Sequence, residues 1–311
     1  MSTIGYPVHS SHRTVKMDQY DEETNFGAKD TASPGYTDAS TIRQFTNTFN
    51  NVTEFYRRFG GRKIYKSKLL RRELTWSGQF APVDTALIRY ATEDGNAAGT
   101  AAGTIDKSLT FLRSWMQNSA GTLTEHFQFK EGTKIDQMTI TSALGILECN
   151  FQAISRNIAK PVTTANGGLT TPTYATPTTA VPWCHNTGGG ASQPLVIDGV
   201  NYPAISISVT VNNTLDGVDI DGSQYIEALE PTVKNVTFAC EIIAGKDLNL
   251  DDDIETLVAD AASFQLNATG PKTAALTDLV LTNKTADWAS SDTTVDTLVF
   301  AGTAQQIGVT A

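Results

Sequence analysis

Between Ser108 and Arg156, apolar and polar side chains alternate with a period of two through successive runs. Phe127 and Phe129 alternate with His126, Gln128 and Lys130, and Met138 and Ile140 with Gln137, Thr139 and Thr141. Leu147, Cys149, Phe151 and Ala153 then alternate with Glu148, Asn150, Gln152 and Ile154. Successive side chains leave opposite faces of a strand, so the pattern calls for a sheet with one buried and one wet face. Met138, Ile140, Leu147, Cys149 and Phe151 are expected in a core, and Gln137, Thr139, Glu148, Asn150 and Gln152 on the wet side. A slip of one residue would exchange the two sets. Glu131-Gly132-Thr133 reads as a tight turn joining two of the runs into a β-meander.

The chain has 311 residues, room for one large or two modest domains. Only 18% of residues are charged, and the plentiful Thr, Ala, Asn and Gly suit strands with many turns. No apolar run is long enough to span a bilayer as a helix. Residues 1–11 lack the apolar segment of a secretory signal, so none is expected. Cys149 and Cys240 sit in strand-like runs, where a thiol acts as a small apolar group; with Cys184, they are expected to be reduced. Residues 1–160 carry 19 Lys and Arg against 16 Asp and Glu, whereas residues 161–311 carry 4 against 17. Such an asymmetry suits either a merely soluble acidic half or a partner surface of opposite sign.

Residues 1–40 are polar and without clear period, an arm expected to take its order from neighbours. From Thr41 to Phe59, Ile42, Phe45, Phe49, Val52, Phe55, Tyr56 and Phe59 recur at spacings of three and four, which predicts a helix ended by Gly60-Gly61. This gives an N-terminal arm with a possible helix over 1–56 and a β domain over 57–311. Residues 57–72 hold Arg57, Arg58, Arg62, Lys63, Lys66, Lys68, Arg71 and Arg72 without an acid. The block reads as a solvated basic face or, alternatively, a nucleic-acid patch. A strand over Leu74–Phe80 and a short helix over Ala81–Ala91, with Pro82 in its first turn, come next. Residues 159–194, rich in Pro, Thr and Gly, interrupt the β domain as a long loop. Strands are expected at Ala204–Val211, Val233–Ile243, Phe264–Leu266, Thr277–Thr282 and Thr297–Phe300. A helix with an acidic start is expected over Leu248–Ala262.

No motif carries chemistry. His9, His12, His126 and His185 form no metal-ligand spacing, and no nucleophile elbow, phosphate loop or dinucleotide fingerprint occurs. Asp216, Asp219 and Asp221 precede Gly222 but miss the register of a calcium loop. Asp251, Asp252 and Asp253 read as helix-capping acids. No catalytic residue, metal or cofactor is expected.

The aromatic run His126–Lys130, Gly132, the Met-Thr-Ile strand Lys134–Thr141 and the Gly-led strand Gly145–Phe151 resemble the tail tube proteins of long-tailed, siphovirus-like bacteriophages. The alternating strand Ala204–Asn213 and the acidic stretch Asp247–Ala262 extend the resemblance. The N-terminal arm and the 159–194 loop depart from it. The resemblance implies a mainly β fold, an antiparallel β-sandwich or barrel with one or two short flanking helices. It also implies six-membered rings stacked into a tube through which double-stranded DNA is ejected. The implied partners are further copies of the chain, tape measure and tail terminator proteins, with no membrane. The implied location is the virion tail, made in the host cytoplasm. An acidic lumen repels phosphate and lets DNA slide. The competing reading is a β-rich surface-binding module, such as a tail fibre or adhesin-like domain. Self-association further offers Arg57, Arg58, Arg62, Lys63, Arg71 and Arg72 to a neighbour's Asp247–Asp260, with Asp251, Asp252 and Asp253 at its centre.

Overall fold

A computed structural model describes residues 13–39, 41–57, 64–93, 104–119, 122–143, 146–176, 180, 182–183, 195–220, 223–243, 255, 259–267, 272–287 and 297–309. Among the described residues the structure is mainly β, with one large antiparallel sheet and a short α-helix. The first strands are β1 (Arg13–Glu22), β2 (Thr37–Asp38), β3 (Thr41–Arg57), β4 (Ile64–Ala81), β5 (Leu109–Ser119), β6 (Thr122–Ala143) and β7 (Ile146–Ile158). They are followed by β8 (Leu195–Ile197), β9 (Val200–Tyr202) and β10 (Ala204–Asn212). A separate hairpin, β11 (Leu215–Val218) with β12 (Ala228–Pro231), stands apart from the sheet. The sheet is completed by β13 (Asn235–Ile243), β14 (Ala259–Asn267), β15 (Lys272–Asp287), β16 (Thr297–Ala304) and β17 (Gln306–Val309). Helix α1 (Ala86–Thr92) contacts β6 and β17.

The long strand β6 organises the sheet. Along one edge it pairs with β7; along the other it pairs first with β5 and then with β10. Glu131-Gly132-Thr133 is therefore no turn but part of one continuous strand. Leu109 faces Thr133 and Phe111 faces Lys130, so Glu131 and Gly132 together stand against Thr110 as a β-bulge. Gly132 takes φ +61°, and a Cβ there would lie 2.7 Å from Cβ of Arg156. A second bulge leaves Asp136 unmatched between Ile135 and Gln137. Each bulge exchanges the two faces of the strand.

Two cores result. The larger one takes side chains from both ends of the strand path, so the sheet curls around it. Phe80, Cys149, Ile140, Val209 and Phe238 lie in register across β4, β7, β6, β10 and β13. Gly78, Phe151, Met138, Val211 and Val236 form the adjacent row. A Cβ on Gly78 would meet the Phe151 ring at 2.6 Å, so the missing side chain is what lets the ring lie there. Trp76 and Phe151 meet edge to face at 5.0 Å, and Trp76 and Phe111 at 4.8 Å. Leu87, Ile88 and Tyr90 of α1 join the same core. The expected apolar set, Met138, Ile140, Leu147, Cys149 and Phe151, is buried here throughout.

The smaller core lies beyond the first bulge. Tyr36, Leu112, Phe127, Phe129 and Leu169 form it, with Met17, Ala159 and Tyr174 packed alongside. Two non-strand segments, 23–36 and 159–175, are joined by backbone bonds. Thr170, Thr171 and Thr173 donate to Thr31, Ala32 and Pro34, and Tyr36 donates back to Thr173. The segments expected to rely on outside neighbours thus bury apolar groups within their own chain, and β1 adds a strand alongside β5.

Three further expectations change. The helix expected over Thr41–Phe59 is strand β3, paired with β4 from Thr41 to Arg57. Its three-and-four spacing coincided with a sequence rich in Thr, Phe and other β-branched or aromatic residues, which suit a ladder better than a helix. The short helix starts at Ala86, beyond Pro82 rather than around it. Within the helix expected over Leu248–Ala262, Glu255 is helical and Ala259–Ala262 belongs to β14, while residues 248–254 and 256–258 lie outside the described residues.

Candidate assembly surface

Opposite the larger core, the sheet presents a polar face. Gln79, Asn150, Thr139, Thr210, Thr237 and Thr303 follow one another in register across β4, β7, β6, β10, β13 and β16. One row away lie Thr46, Ser77, Gln152, Gln137, Asn212 and Asn235. The hydroxyls of Thr139 and Thr210 are 3.0 Å apart, a cross-strand hydrogen bond. Asn150 and Gln152 are exposed, while Gln137, Thr139 and Glu148 are half-buried among their neighbours. All five lie on the sheet face opposite the larger core. No Lys or Arg occurs in β10, β13, β4 from Thr75, β6 from Asp136 or β7 up to Ile154. Of the acids on this face, Glu148 and Glu241 lie toward one end, and Asp136 borders a groove beside Gln152. Shallow grooves run on both sides of Gln152, one reaching Gln79 and Thr139, the other Thr46 and Asp136.

The basic block falls on the β3–β4 ribbon. β7 pairs with β4 only as far as Leu74, so among the described residues Asn50–Arg57 and Ile64–Glu73 are strand partners of each other alone. Arg57 ends β3 and Arg71 lies on β4; Arg58, Arg62 and Lys63 lie outside the described residues. Arg72 is engaged within its own chain. Its N–H donates to the Gln224 carbonyl at 3.1 Å, and its guanidinium lies 5.7 Å from the Tyr225 ring. Arg156 shares that ring from 5.9 Å and binds Glu227 at 2.9 Å. Asp251, Asp252 and Asp253 lie outside the described residues. Asp260, in the same acidic stretch, is buried in β14.

Sequence reasoning missed a buried polar junction at the first bulge. Glu23 is 5% exposed and accepts four hydrogen bonds: from the N–H groups of Gly27 and Gly132 at 2.8 Å, and from the hydroxyls of Ser108 and Thr110 at 2.6 Å. This carboxylate pins the N-terminal segment to β5 and β6. A glycine two residues past the aromatic run was the one visible signal. Nearby, Lys130 is 1% exposed, with its ammonium 4.7 Å over the Trp76 ring. Burial holds its ammonium well below the usual lysine range; the Arg113 charge adds to this and Asp18 opposes it. Arg113 and Asp18 pair bidentately at 2.7 and 2.8 Å.

His126 stacks on Trp115 at 5.5 Å. Cys149 and Cys240 are free thiols in the core; burial pushes both up, Cys240 to about 12, which keeps them unreactive. Among the described residues no group of His, Cys, Asp or Glu has the geometry of a metal site, and no helix is long and apolar enough to cross a membrane.

A search of curated proteins finds no match. The family model described as "Phage tail tube protein" matches residues 23–311, a span that takes in every named strand but β1. With that match over nearly the whole length of a mainly β chain, this protein belongs to the phage tail tube family, structural components of the virion tail.

Proposed function

We propose that the chain polymerises as six-membered rings stacked into a tube, with the polar face of β4, β7, β6, β10 and β13 lining the lumen through which DNA leaves. The observation that carries this reading is the pair of cross-strand rows of Gln, Asn, Thr and Ser, devoid of Lys and Arg. A wall of uncharged hydrogen-bonding groups offers phosphate no cation to release its counterions onto, so DNA passes without being held. Glu148 and Glu241 add a weak acidic bias at one end. The lumen of this proposal is thus neutral over most of its wall and acidic at its margin. β3, which pairs with β4 alone, supplies a long edge for a neighbouring subunit, and closure of the ring would remove that edge. In the proposed assembly the partners are other copies, a tape measure protein inside the tube and a terminator at its end. Synthesis takes place in the host cytoplasm.

A Thr139→Cys variant tests the reading. In monomers the thiol should react with a bulky maleimide. After assembly, imaging should show rings or tubes with a central hole, and the same reagent should no longer reach the thiol. Full labelling of intact tubes overturns the lumen assignment. Monomers that bind glycans and never form rings favour a surface-binding module instead.

A further inference from the structure

Two segments roof the smaller core, and they are fastened to the sheet along both sides. Residues 23–36 and 159–175 are bonded to each other through Thr170, Thr171, Thr173 and Tyr36. Along β6, Phe127 and Val162 exchange backbone hydrogen bonds of 2.8 and 2.9 Å, and the Ala159 N–H donates to the Phe129 carbonyl at 2.9 Å. Along β1, Nε2 of Gln19 donates to the Ala175 carbonyl at 2.7 Å.

Floor and roof both carry polar atoms that these bonds leave out. Gln19 faces Leu112 and Met17 faces Ser114, so Gln19 and Ser114 are diagonal neighbours on the face of Phe127 and Phe129. Gln19 is 1% exposed and Ser114 0%. From the roof, Tyr36, 5% exposed, stacks on Tyr174 with ring centroids 5.8 Å apart. Oε1 of Gln19, Oγ of Ser114 and the hydroxyls of Tyr36 and Tyr174 are all buried, and none has a hydrogen-bond partner among the described residues. Folded chains seldom leave buried polar groups unmatched, because each forfeits its hydration. Four around one small core point to a guest.

The four atoms define that guest. The carboxamide oxygen only accepts, so the guest must donate; the three hydroxyls both donate and accept, so it can accept as well. Burial raises both tyrosines, which therefore stay neutral hydroxyls. No formal charge among the four atoms would balance an ion taken out of water. Water meets every condition, and a buried water is held by two to four polar neighbours of this kind.

We propose that ordered water is held between the roof and the sheet, bridging Gln19 and Ser114 on the floor to Tyr36 and Tyr174 above. The site lies within one copy and stands apart from how copies assemble. Its waters join the roof to the floor alongside the direct bond from Gln19 to Ala175, and the fastened sides make them slow to exchange.

Crystallography or cryo-microscopy at a resolution that shows solvent tests this first. Density peaks are expected about 2.7–3.0 Å from Oε1 of Gln19 and from at least two of the three hydroxyl oxygens. Tyr36→Phe and Ser114→Ala then remove one hydroxyl each without adding bulk. Where water is held, each variant strips it of a partner, and both should melt about 2–4 °C lower than wild type. In a dry seam the same changes would remove an unmatched group and raise the melting temperature. Absence of the density, or a melting temperature unchanged or raised in either variant, overturns the proposal. Wild-type melting that differs among sodium, potassium and choline chloride, with the difference lost in Tyr36→Phe, places an ion there and overturns the assignment to water.

Discussion

The two halves of β6 bury their apolar side chains on opposite faces of one strand, and they do so in different company. From Gln137 onward the buried neighbours are aliphatic and aromatic, and apart from Ser142 the polar groups lie on the far face. Before Gly132 the strand has Phe127 and Phe129 under a roof of two non-strand segments, with Glu23, Gln19, Ser114 and Lys130 buried close by. One region is held by area removed from water, which is non-directional and tolerant. The other is held by a few directed hydrogen bonds, which specify one arrangement but fail together when a partner is lost.

The largest expected effect sharpens this contrast. Phe151→Ala should cost about 3–5 kcal/mol in denaturant unfolding, because the Trp76, Phe80 and Phe111 rings around it are fixed by strands and cannot collapse into the space. Phe129→Ala should cost less, about 2–3 kcal/mol, because the segment above it can settle. A larger loss at Phe129 would break the comparison. Glu23→Ala comes next, at roughly 2–3 kcal/mol, since it leaves buried donors without an acceptor. Hydrogen exchange should quicken in 23–36 and 159–175 while β10 and β13 keep their protection; equal quickening in both regions would show a single cooperative unit.

The smallest effect is a pH dependence confined to the roofed region. Burial, helped by the charge of Asp30, pushes the Asp21 carboxyl up to about 6. The folded chain then holds that proton more tightly than the unfolded chain. Its contribution is fully present below about pH 4 and is lost as pH rises through about 6. Asp21→Asn should flatten the stability profile between those values. An unaltered profile would place the titration elsewhere.

In the second half of β6, in β7 and in β10 the buried face was legible in the sequence, because one-sided burial forces strict alternation and any slip is costly. The same logic faltered at Gly132. A glycine between two alternating runs signals either a turn or a bulge, and only the partner strand decides which. β3 was misread because Phe45, Phe49, Val52 and Phe55 sit at helical spacing by coincidence, while what makes them a strand is β4 alongside. The N-terminal segment hid its order for a different reason. It is fastened largely by hydrogen bonds to Glu23 and to loop carbonyls, and polar fastening leaves no hydrophobic period to read. The wet-face residues were found as a set, but their alignment into rows depends on strands distant in sequence.

Because β6 changes partner from β5 to β10 without a break in its backbone, the two regions are joined in series by covalent bonds. A pull applied across the molecule cannot part them by peeling one strand from another. It must shear a long ladder on the β7 side, where many hydrogen bonds yield together rather than one at a time. The strand thus works as a tendon, passing load from the roofed end to the curled sheet.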